Sequence, residues 1–309
     1  MDFFGQLLNA LPGAISQGLI WGIMAIGVFI TYKILDVSDL TVDGSFATGG
    51  VVAVILILNG CNLWLAMIVA FIAGMIAGLI TGLLHTLMGI PAILAGILSQ
   101  LALYSINLKM LGKANVALNV NQTDLLISLR WVKELAFHNP LITVTVVVAL
   151  LIAALYWFFG REIGCGIRAT GANIKMARAQ GINTSFNTVL GIMLSNGLVA
   201  LSGAFLTQYQ GFADIKMGQG AIVIGLAAVV IGKAVFGKIF KNFALRLLSV
   251  VLGAVIYYLV VQTVITLGFD ANLLKLLSAT IVAIFLAVPY WKKKYSSTHV
   301  SKKGGKQNA

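Results

Sequence analysis

Charged side chains are scarce in this 309-residue chain, in which Asp, Glu, Lys and Arg together make up 10% of the residues. A soluble domain carries about 25% of them, because its surface must face water. Hydrophobic residues reach 60%, and the mean hydropathy is +0.99. These values exclude an ordinary soluble domain. The apolar runs are continuous and do not alternate in segments of about ten residues, which excludes a barrel and predicts membrane-spanning helices.

Residues that form metal or catalytic sites are also few. The two cysteines, Cys61 and Cys165, belong to no CxxC pair or Cys/His cluster. The three histidines are scattered, and no Ser/His/Asp set or pair of catalytic carboxylates can be assembled. The GxxxxGK[ST] pattern of a P-loop is missing too, since the nearest string, at 225–234, has too many residues between its glycines and ends in Ala234. We therefore expect no cofactor, no metal and no nucleotide hydrolysis in this chain.

Acidic residues are outnumbered, with 9 Asp and Glu against 21 Lys and Arg, so the net charge is +12. Such an excess is typical of nucleic-acid-binding proteins, but this chain has no basic soluble domain with interleaved aromatic residues. Cations that flank membrane spans on the cytoplasmic side and meet anionic lipid explain the excess. Membrane lipid, and not nucleic acid, is the expected partner.

The apolar runs predict an all-α integral membrane protein with about eight or nine transmembrane helices. A span needs roughly 20 apolar residues. Residues 1–291 form the predicted transmembrane domain, and residues 292–309 form a basic cytoplasmic tail that we expect to be disordered. The predicted spans are 14–34, 44–58, 63–88, 91–108, 140–159, 186–209, 220–236, 244–267 and 272–289.

The positions of the Lys and Arg residues predict the orientation of these spans. Three basic segments, at 160–185, 237–243 and 292–309, each follow an odd-numbered span, which places the C-terminus in the cytoplasm and the N-terminus outside. The two cysteines then lie on opposite sides of the membrane, so we expect no disulfide. On the third span, Gly74, Gly78 and Gly82 repeat at every fourth position. This pattern predicts close helix packing within the chain or, as the alternative, a dimer seam.

A polar stretch at 33–45 separates the first two spans and contains the carboxylates Asp36, Asp39 and Asp43. One interpretation is a loop in which Asp43 or Thr41 caps the second span. The other is that Asp43 lines a substrate pathway, because polar groups at membrane depth are tolerated only inside protein or beside water. The other pathway candidates are polar span residues, each of which is also able to bond a neighbouring helix: Ser45, Thr48, Ser99, Gln100, Asn107, Ser195, Asn196 and Gln208.

The loop at 160–185 is the only sizeable hydrophilic element between spans on the predicted cytoplasmic side. Residues 169–179 predict a short helix that Gly181 ends, and Asn183 is placed to cap the next helix. The string RATGAN at 168–173, Ala177 with Arg178, and GIN at 181–183 resemble the cytoplasmic loop of ATP-binding cassette (ABC) importer permeases. The family is the branched-chain amino acid/ribose permease superfamily, and the resemblance extends from about Gly18 onward.

The resemblance implies a subunit of an ATP-driven importer in the cell membrane. Two permease subunits, here a homodimer, form the pathway above two ATPase subunits, and an extracytoplasmic binding protein delivers the solute. The string LTVDGSF at 40–46 looks like the subgroup often assigned tryptophan or tyrosine. The loop then couples to the ATPase through Arg168, Gly171, Ala172, Asn173, Ala177, Arg178, Gly181 and Asn183.

The sequence is also compatible with other functions. One alternative is a permease for a sugar or another small solute, and two alternatives of a different class are an ion-coupled secondary transporter and a lipid-modifying enzyme. The secondary transporter requires mid-span carboxylates or histidines for ion coupling, and the enzyme requires a clustered His/Asp/Glu site near an interface. A further hypothesis concerns inverted repeats: residues 39–44 precede the second span and residues 214–220 precede the seventh, so spans two to four and seven to nine are candidate repeats.

Overall fold

The computed structural model is almost entirely helical. It describes residues 3–118, 125–133 and 139–268, with single positions between 276 and 287. Ten α-helices follow one another along these ranges: α1 Phe3–Phe29, α2 Thr41–Leu58, α3 Leu63–Thr86, α4 Ala92–Leu111, α5 Pro140–Phe159, α6 Glu162–Ala172, α7 Ile174–Ala179, α8 Thr184–Gln210, α9 Ala221–Phe236 and α10 Phe243–Thr266.

Seven of the described helices are long and apolar enough to cross a membrane. The fifth predicted span matches α5 residue for residue, and the others among the first six, with the eighth, agree with their helices to within a few residues except at the start of α1. The seventh predicted span corresponds to α9, which has 16 residues and is shorter than these seven. Span 272–289 is described only at positions 276, 279–280, 282–284 and 287, and the tail at 292–309 lies outside the described residues. The orientation of the termini stays a prediction.

The end of α1 changes its hydrogen-bonding pattern. Residues Ile30–Leu35 continue it as a π-helix, which Asp36 ends in a left-handed conformation with φ 57°. A Cβ on Gly171 of α6 would overlap the carbonyl oxygen of Ile34, so only glycine allows α6 to lie directly on this segment. Stretches of π-helix are rare and often occur at functional sites. Because of the contact at Gly171, the loop at 160–185 packs against this end of α1.

The core forms where α1, α2 and α8 cross, because these helices carry the most buried windows, at 78%, 78% and 72%. Glycines permit the crossings: a Cβ on Gly49 of α2 would meet the carbonyl of Ala200, and one on Gly203 of α8 would meet the carbonyl of Phe46. Gly74 and Gly78 of α3 meet the backbone of α8 in the same way. The spaced glycines of the third span therefore pack within the chain.

A short antiparallel ladder joins two distant parts of the chain. Strand β1, Asn115–Ala117, follows α4, and strand β2, Phe212–Asp214, follows α8, with Val116 opposite Ala213. After β2, residues up to Gly220 run back along α2: a Cβ on Gly50 would lie 2.8 Å from the Met217 methyl group, and one on Gly218 would meet the carbonyl of Asp43. This segment delivers the start of α9 to the first turn of α2.

Candidate translocation core and coupling loop

A buried polar cluster links the start of α2 to the middle of α8. Ser45 donates a hydrogen bond of 2.7 Å to Oδ1 of Asn196, and Nδ2 of Asn196 donates one of 2.6 Å to Oδ2 of Asp39. The other oxygen of Asp39 accepts the backbone N–H of Thr41 at 2.9 Å. Burial of all these side chains is tolerated because each has a partner.

The cluster extends through hydroxyl groups to α3 and α4. Oγ1 of Thr41 lies 2.8 Å from Oγ1 of Thr81, which in turn donates to Oγ of Ser99 at 2.7 Å. Since the Thr81 hydroxyl has only one proton, Thr41 is the donor to it. Asp39, Asn196, Ser45, Thr41, Thr81 and Ser99 together are called the polar core below. It joins α2, α3, α4, α8 and the segment that precedes α2.

Asp39 is the only carboxylate of the polar core. Its side chain is 3% exposed, and the groups that hold it are neutral. It lies in the connection between the candidate spans Leu8–Leu35 and Thr41–Leu58. Burial raises the pKa of the Asp39 carboxyl above its usual value, and the hydrogen bonds from Thr41 and Asn196 oppose that shift.

A second buried pair lies farther along α2. Nδ2 of Asn107 on α4 donates to Oγ1 of Thr48 at 3.1 Å, and Thr48 donates to the carbonyl of Gly44. Oδ1 of Asn107 is buried without a hydrogen-bond partner. This pair continues the polar face of α2 toward its C-terminal end, and it brings two of the candidate residues together inside the protein.

One interpretation of the sequence, that Asp43 caps the second span, is wrong. The two oxygens of Asp43 accept the backbone N–H groups of Gly220 at 2.9 Å and Ile222 at 3.0 Å, so it caps the start of α9. The bond to the N–H of Thr41 comes from Asp39 instead. A carboxylate is stabilised at a helix N-terminus by the free N–H groups and the helix dipole. The first turns of α2 and α9 therefore meet. The sequence did not indicate this contact, because Asp43 and Gly220 are 177 positions apart.

The remaining pathway candidates are not part of the hydrogen-bonded polar core. Gln208 accepts the N–H of Leu126 at 3.0 Å and donates to Sδ of Met67, and Ser195 donates to the carbonyl of Gly27. Gln100 is half-buried on α4. Asp39 and Thr81 were missed as pathway candidates: Asp39 was noted only as one of three loop carboxylates, and a lone Thr in an apolar helix gives no signal.

The loop at 160–185 consists of two helices and not the single helix predicted at 169–179. Asn173 breaks it, because its backbone is extended and its side chain accepts the N–H groups of Lys175 and Met176 to cap α7. Gly181 has φ 78°, as a helix-ending glycine should, and Asn183 accepts the N–H of Phe186 to cap α8. The predicted helix end and the predicted cap are both confirmed.

The two loop helices differ in what they contact. On α6, Gly171 lies against the π-helical end of α1, and the guanidinium of Arg168 lies 5.7 Å from the ring centre of Phe243. On α7, Ala177 is buried, and Nε of Arg178 donates to Thr184 at 2.8 Å. Ala172, Asn173 and Lys175 are exposed, and so are the apolar side chains of Ile174 and Met176, at 46% and 63%.

These features define a multi-pass membrane protein that combines a buried polar core with a two-helix loop that exposes apolar side chains. The family model described as branched-chain amino acid transport system / permease component matches residues 11–288. The chain therefore belongs to this family of ABC transporter permeases. Members of it are not enzymes themselves.

Three relatives illustrate the range of the family. The chain is 35% identical, over 91% of each chain, to a tyrosine transport system permease protein of Clostridioides difficile (strain R20291). It is 32% identical to the uncharacterized protein RP368 of Rickettsia prowazekii (strain Madrid E), over 91% of this chain and 98% of that one. A fructose import permease of Bifidobacterium longum (strain NCC 2705) is 26% identical, over 98% of this chain and 85% of that one.

Proposed function

We propose that this permease forms half of the pathway of an ATP-driven importer for a small zwitterionic amino acid, of which tyrosine is the best candidate. The tyrosine permease, to which the chain is 35% identical over 91% of its length, supports the substrate class. A separate extracytoplasmic protein binds and delivers the amino acid. A second copy of the chain completes the pathway, and separate ATPase subunits supply the energy.

One observation carries this proposal: the loop at 160–185 contacts the chain segment that leads into the polar core. Gly171 lies on Ile34 and Leu35 at the end of α1, and only three residues separate Leu35 from Asp39. Arg178 joins α7 to the first residue of α8, the helix that carries Asn196. A displacement of the loop is thereby passed to both partners of the Asp39–Asn196 hydrogen bond.

In the proposed mechanism, α7 docks into the ATPase with its exposed Ile174 and Met176, while Lys175 adds a cation for acidic groups on that partner. Closure of the ATPase dimer on ATP moves α6 and α7 together as a rigid unit. The end of α1 and the start of α8 follow, and the hydrogen bonds of the polar core break. The motion is passed on through the contact of α6 with the end of α1 and the hydrogen bond from α7 to the start of α8.

Opening of the polar core frees groups that match an amino acid. The Asp39 carboxylate is a partner for the substrate ammonium group, and the Asn196 amide and Ser45 hydroxyl are donors for its carboxylate. Thr48 and Asn107 offer a further polar step along α2. In the closed state Asp39, Asn196 and Ser45 bond each other, so these three groups have partners while the pathway is empty of substrate.

Removal of the exposed apolar side chains of α7 tests the coupling step. The double variant Ile174→Ser/Met176→Ser is expected to lose co-purification with the ATPase by about tenfold or more, in line with the loss of two interface anchors. ATP-driven uptake should fall with it. The matched control is Val235→Ser/Ile239→Ser, since these side chains are 50% and 69% exposed and lie outside the loop. Normal ATPase binding and uptake by the α7 variant would overturn the coupling role.

The substrate is tested by uptake into proteoliposomes that contain the permease, the ATPase and the binding protein. We expect labelled tyrosine to accumulate, excess unlabelled tyrosine to compete and fructose to leave uptake unchanged. The variant Asn196→Ala should lower tyrosine uptake while it retains ATPase binding. If fructose accumulates and tyrosine does not, the proposed amino-acid substrate is wrong and the substrate is a sugar.

A further inference from the structure

A basic cleft lies where α5 ends, α6 begins and α10 begins. It has a volume of about 640 Å³, and three cationic side chains line it, those of Arg161, Arg168 and Lys241. None of its lining residues is acidic. The Asn242 side chain, which also lines it, makes no cap bond to α10. The cleft therefore offers a concentrated positive potential with no internal anion to balance it.

Two of the three cations are oriented by aromatic rings that line the same cleft. The guanidinium of Arg161 lies 4.9 Å from the ring centre of Trp157, and that of Arg168 lies 5.7 Å from Phe243. Contacts within about 6 Å of a ring centre are attractive and hold the cation over the ring. Both guanidinium groups remain exposed. Within the part of the chain that the structure describes, no carboxylate neutralises them, so their N–H groups are available to an external anion.

The position of the cleft selects the kind of anion. It opens at the end of α5, whose window is only 17% buried and is therefore the most exposed of the seven candidate spans. Tyr156 and Trp157, 50% and 63% exposed, stand at that end of the helix. Aromatic side chains at the end of a span mark the depth of the lipid headgroups. The cleft is thus level with phosphate groups of the bilayer and reachable from it.

We propose that the basic cleft binds the phosphate headgroup of an anionic phospholipid from the membrane in which the protein lies. Arg161 and Lys241 hold the phosphate from two sides, and Arg168 completes the site from α6. Because α6 also contacts the end of α1, a bound lipid fixes the loop at 160–185 relative to α5 and α10. None of the residues that line the cleft lies on α7.

Native mass spectrometry of the full chain, without any partner, tests this site. The chain is released from vesicles of phosphatidylglycerol or of phosphatidylcholine. We expect one phosphatidylglycerol to be retained more tightly than the rest and no equivalent phosphatidylcholine. The variant Arg161→Gln/Lys241→Gln should weaken that adduct by about 25-fold, since each cation near a lipid surface contributes about 1 kcal/mol, or roughly fivefold. The matched control Lys109→Gln/Lys238→Gln removes the same charge outside the cleft and should change little.

Three further results decide the matter. If glycerol phosphate in solution displaces the adduct as well as the lipid does, the site recognises a free anion and the lipid proposal fails. Equal loss of the adduct in both double variants would show that net charge alone retains the lipid, which also overturns it. If the cleft variant keeps its adduct but no longer binds the ATPase, the cleft is part of the protein interface instead. Melting curves of both variants check that they are folded.

Discussion

Helices α5 and α8 are both long and apolar, yet they use their side chains in opposite ways. The windows have mean hydropathies of 2.5 and 1.9, but 17% of the α5 window is buried against 72% for α8. Every buried side chain of α5 is apolar. Helix α8 buries eight polar ones, among them Ser195, Asn196, Ser202 and Gln208. Burial within protein, and not hydropathy, decides where a membrane protein places polar groups, because only there do they find partners.

The largest effect should come from the crossing that buries α8. In Gly203→Ala, the new methyl group would overlap the carbonyl oxygen of Phe46 on α2. We expect a loss of about 3 kcal/mol in unfolding free energy, the upper end for overpacked sites. Unfolding in mixed micelles measures it. The control, Gly13→Ala on α1, has its nearest atom at 3.6 Å and should be close to neutral. Equal stability of the two variants would contradict the close crossing.

Removal of the Asp39 carboxylate should have the next largest effect. Asp39→Ala leaves the N–H of Thr41 and the amide of Asn196 without their acceptor, at a cost of about 2 kcal/mol. Asp39→Asn retains one carbonyl acceptor and removes the buried charge, so its loss should be the smaller. Asp36→Asn is the control, because Asp36 is exposed and asparagine tolerates its positive φ. Unfolding in mixed micelles measures the three losses. A larger loss for Asp39→Asn than for Asp39→Ala would contradict the prediction.

A smaller effect is expected at Thr81, the middle hydroxyl of the polar core. Thr81→Val keeps the shape but leaves the Thr41 hydroxyl without its acceptor and Ser99 without its donor. The expected loss is about 1–2 kcal/mol. Thermal melting of the purified chain measures it, and an unchanged melting temperature would show that water or another group replaces the hydroxyl.

The same substitution on α5 should have almost no effect. Thr145 is exposed, and its hydroxyl donates only to the carbonyl of Leu141 in its own helix, at 2.6 Å. Thr145→Val should therefore change the unfolding free energy by less than about 0.5 kcal/mol. Paired melts of this variant and Thr81→Val compare one chemical change in a lipid-facing helix and in the polar core. Similar losses in both would remove the distinction between the two regions.

Much of the fold was predictable because a span is recorded locally, in the length of an apolar run. The bounds of α5 and the cap at Asn183 required nothing from the rest of the chain. The hydrogen-bond partners of the polar side chains, by contrast, depend on distant parts of the chain. Asp43 and Gly220 lie far apart in sequence, and no local pattern shows that the carboxylate caps α9 rather than its own helix. For the same reason, Asp39 was recognised as polar but not as the centre of the cluster.

The break at Asn173 was missed for a different reason. The residues around it, with Ala, Met, Lys and Arg, are good helix formers, so propensity alone favoured one continuous helix. Asparagine competes with such a helix because its side chain bonds the following N–H groups, as it does here with Lys175 and Met176. Contact of α6 with the end of α1, through Gly171, then fixes the helix that precedes the break.

The bond between Asp43 and the start of α9 also determines when the molecule can be completed during synthesis. The ribosome must add 177 residues after Asp43 before its partner Gly220 exists. At about 5–20 residues per second, that interval lasts roughly 10–35 s. During it, α2 is already made while its acidic first turn has nothing to cap. The contact between the first turns of α2 and α9 therefore forms only after Gly220 has been translated.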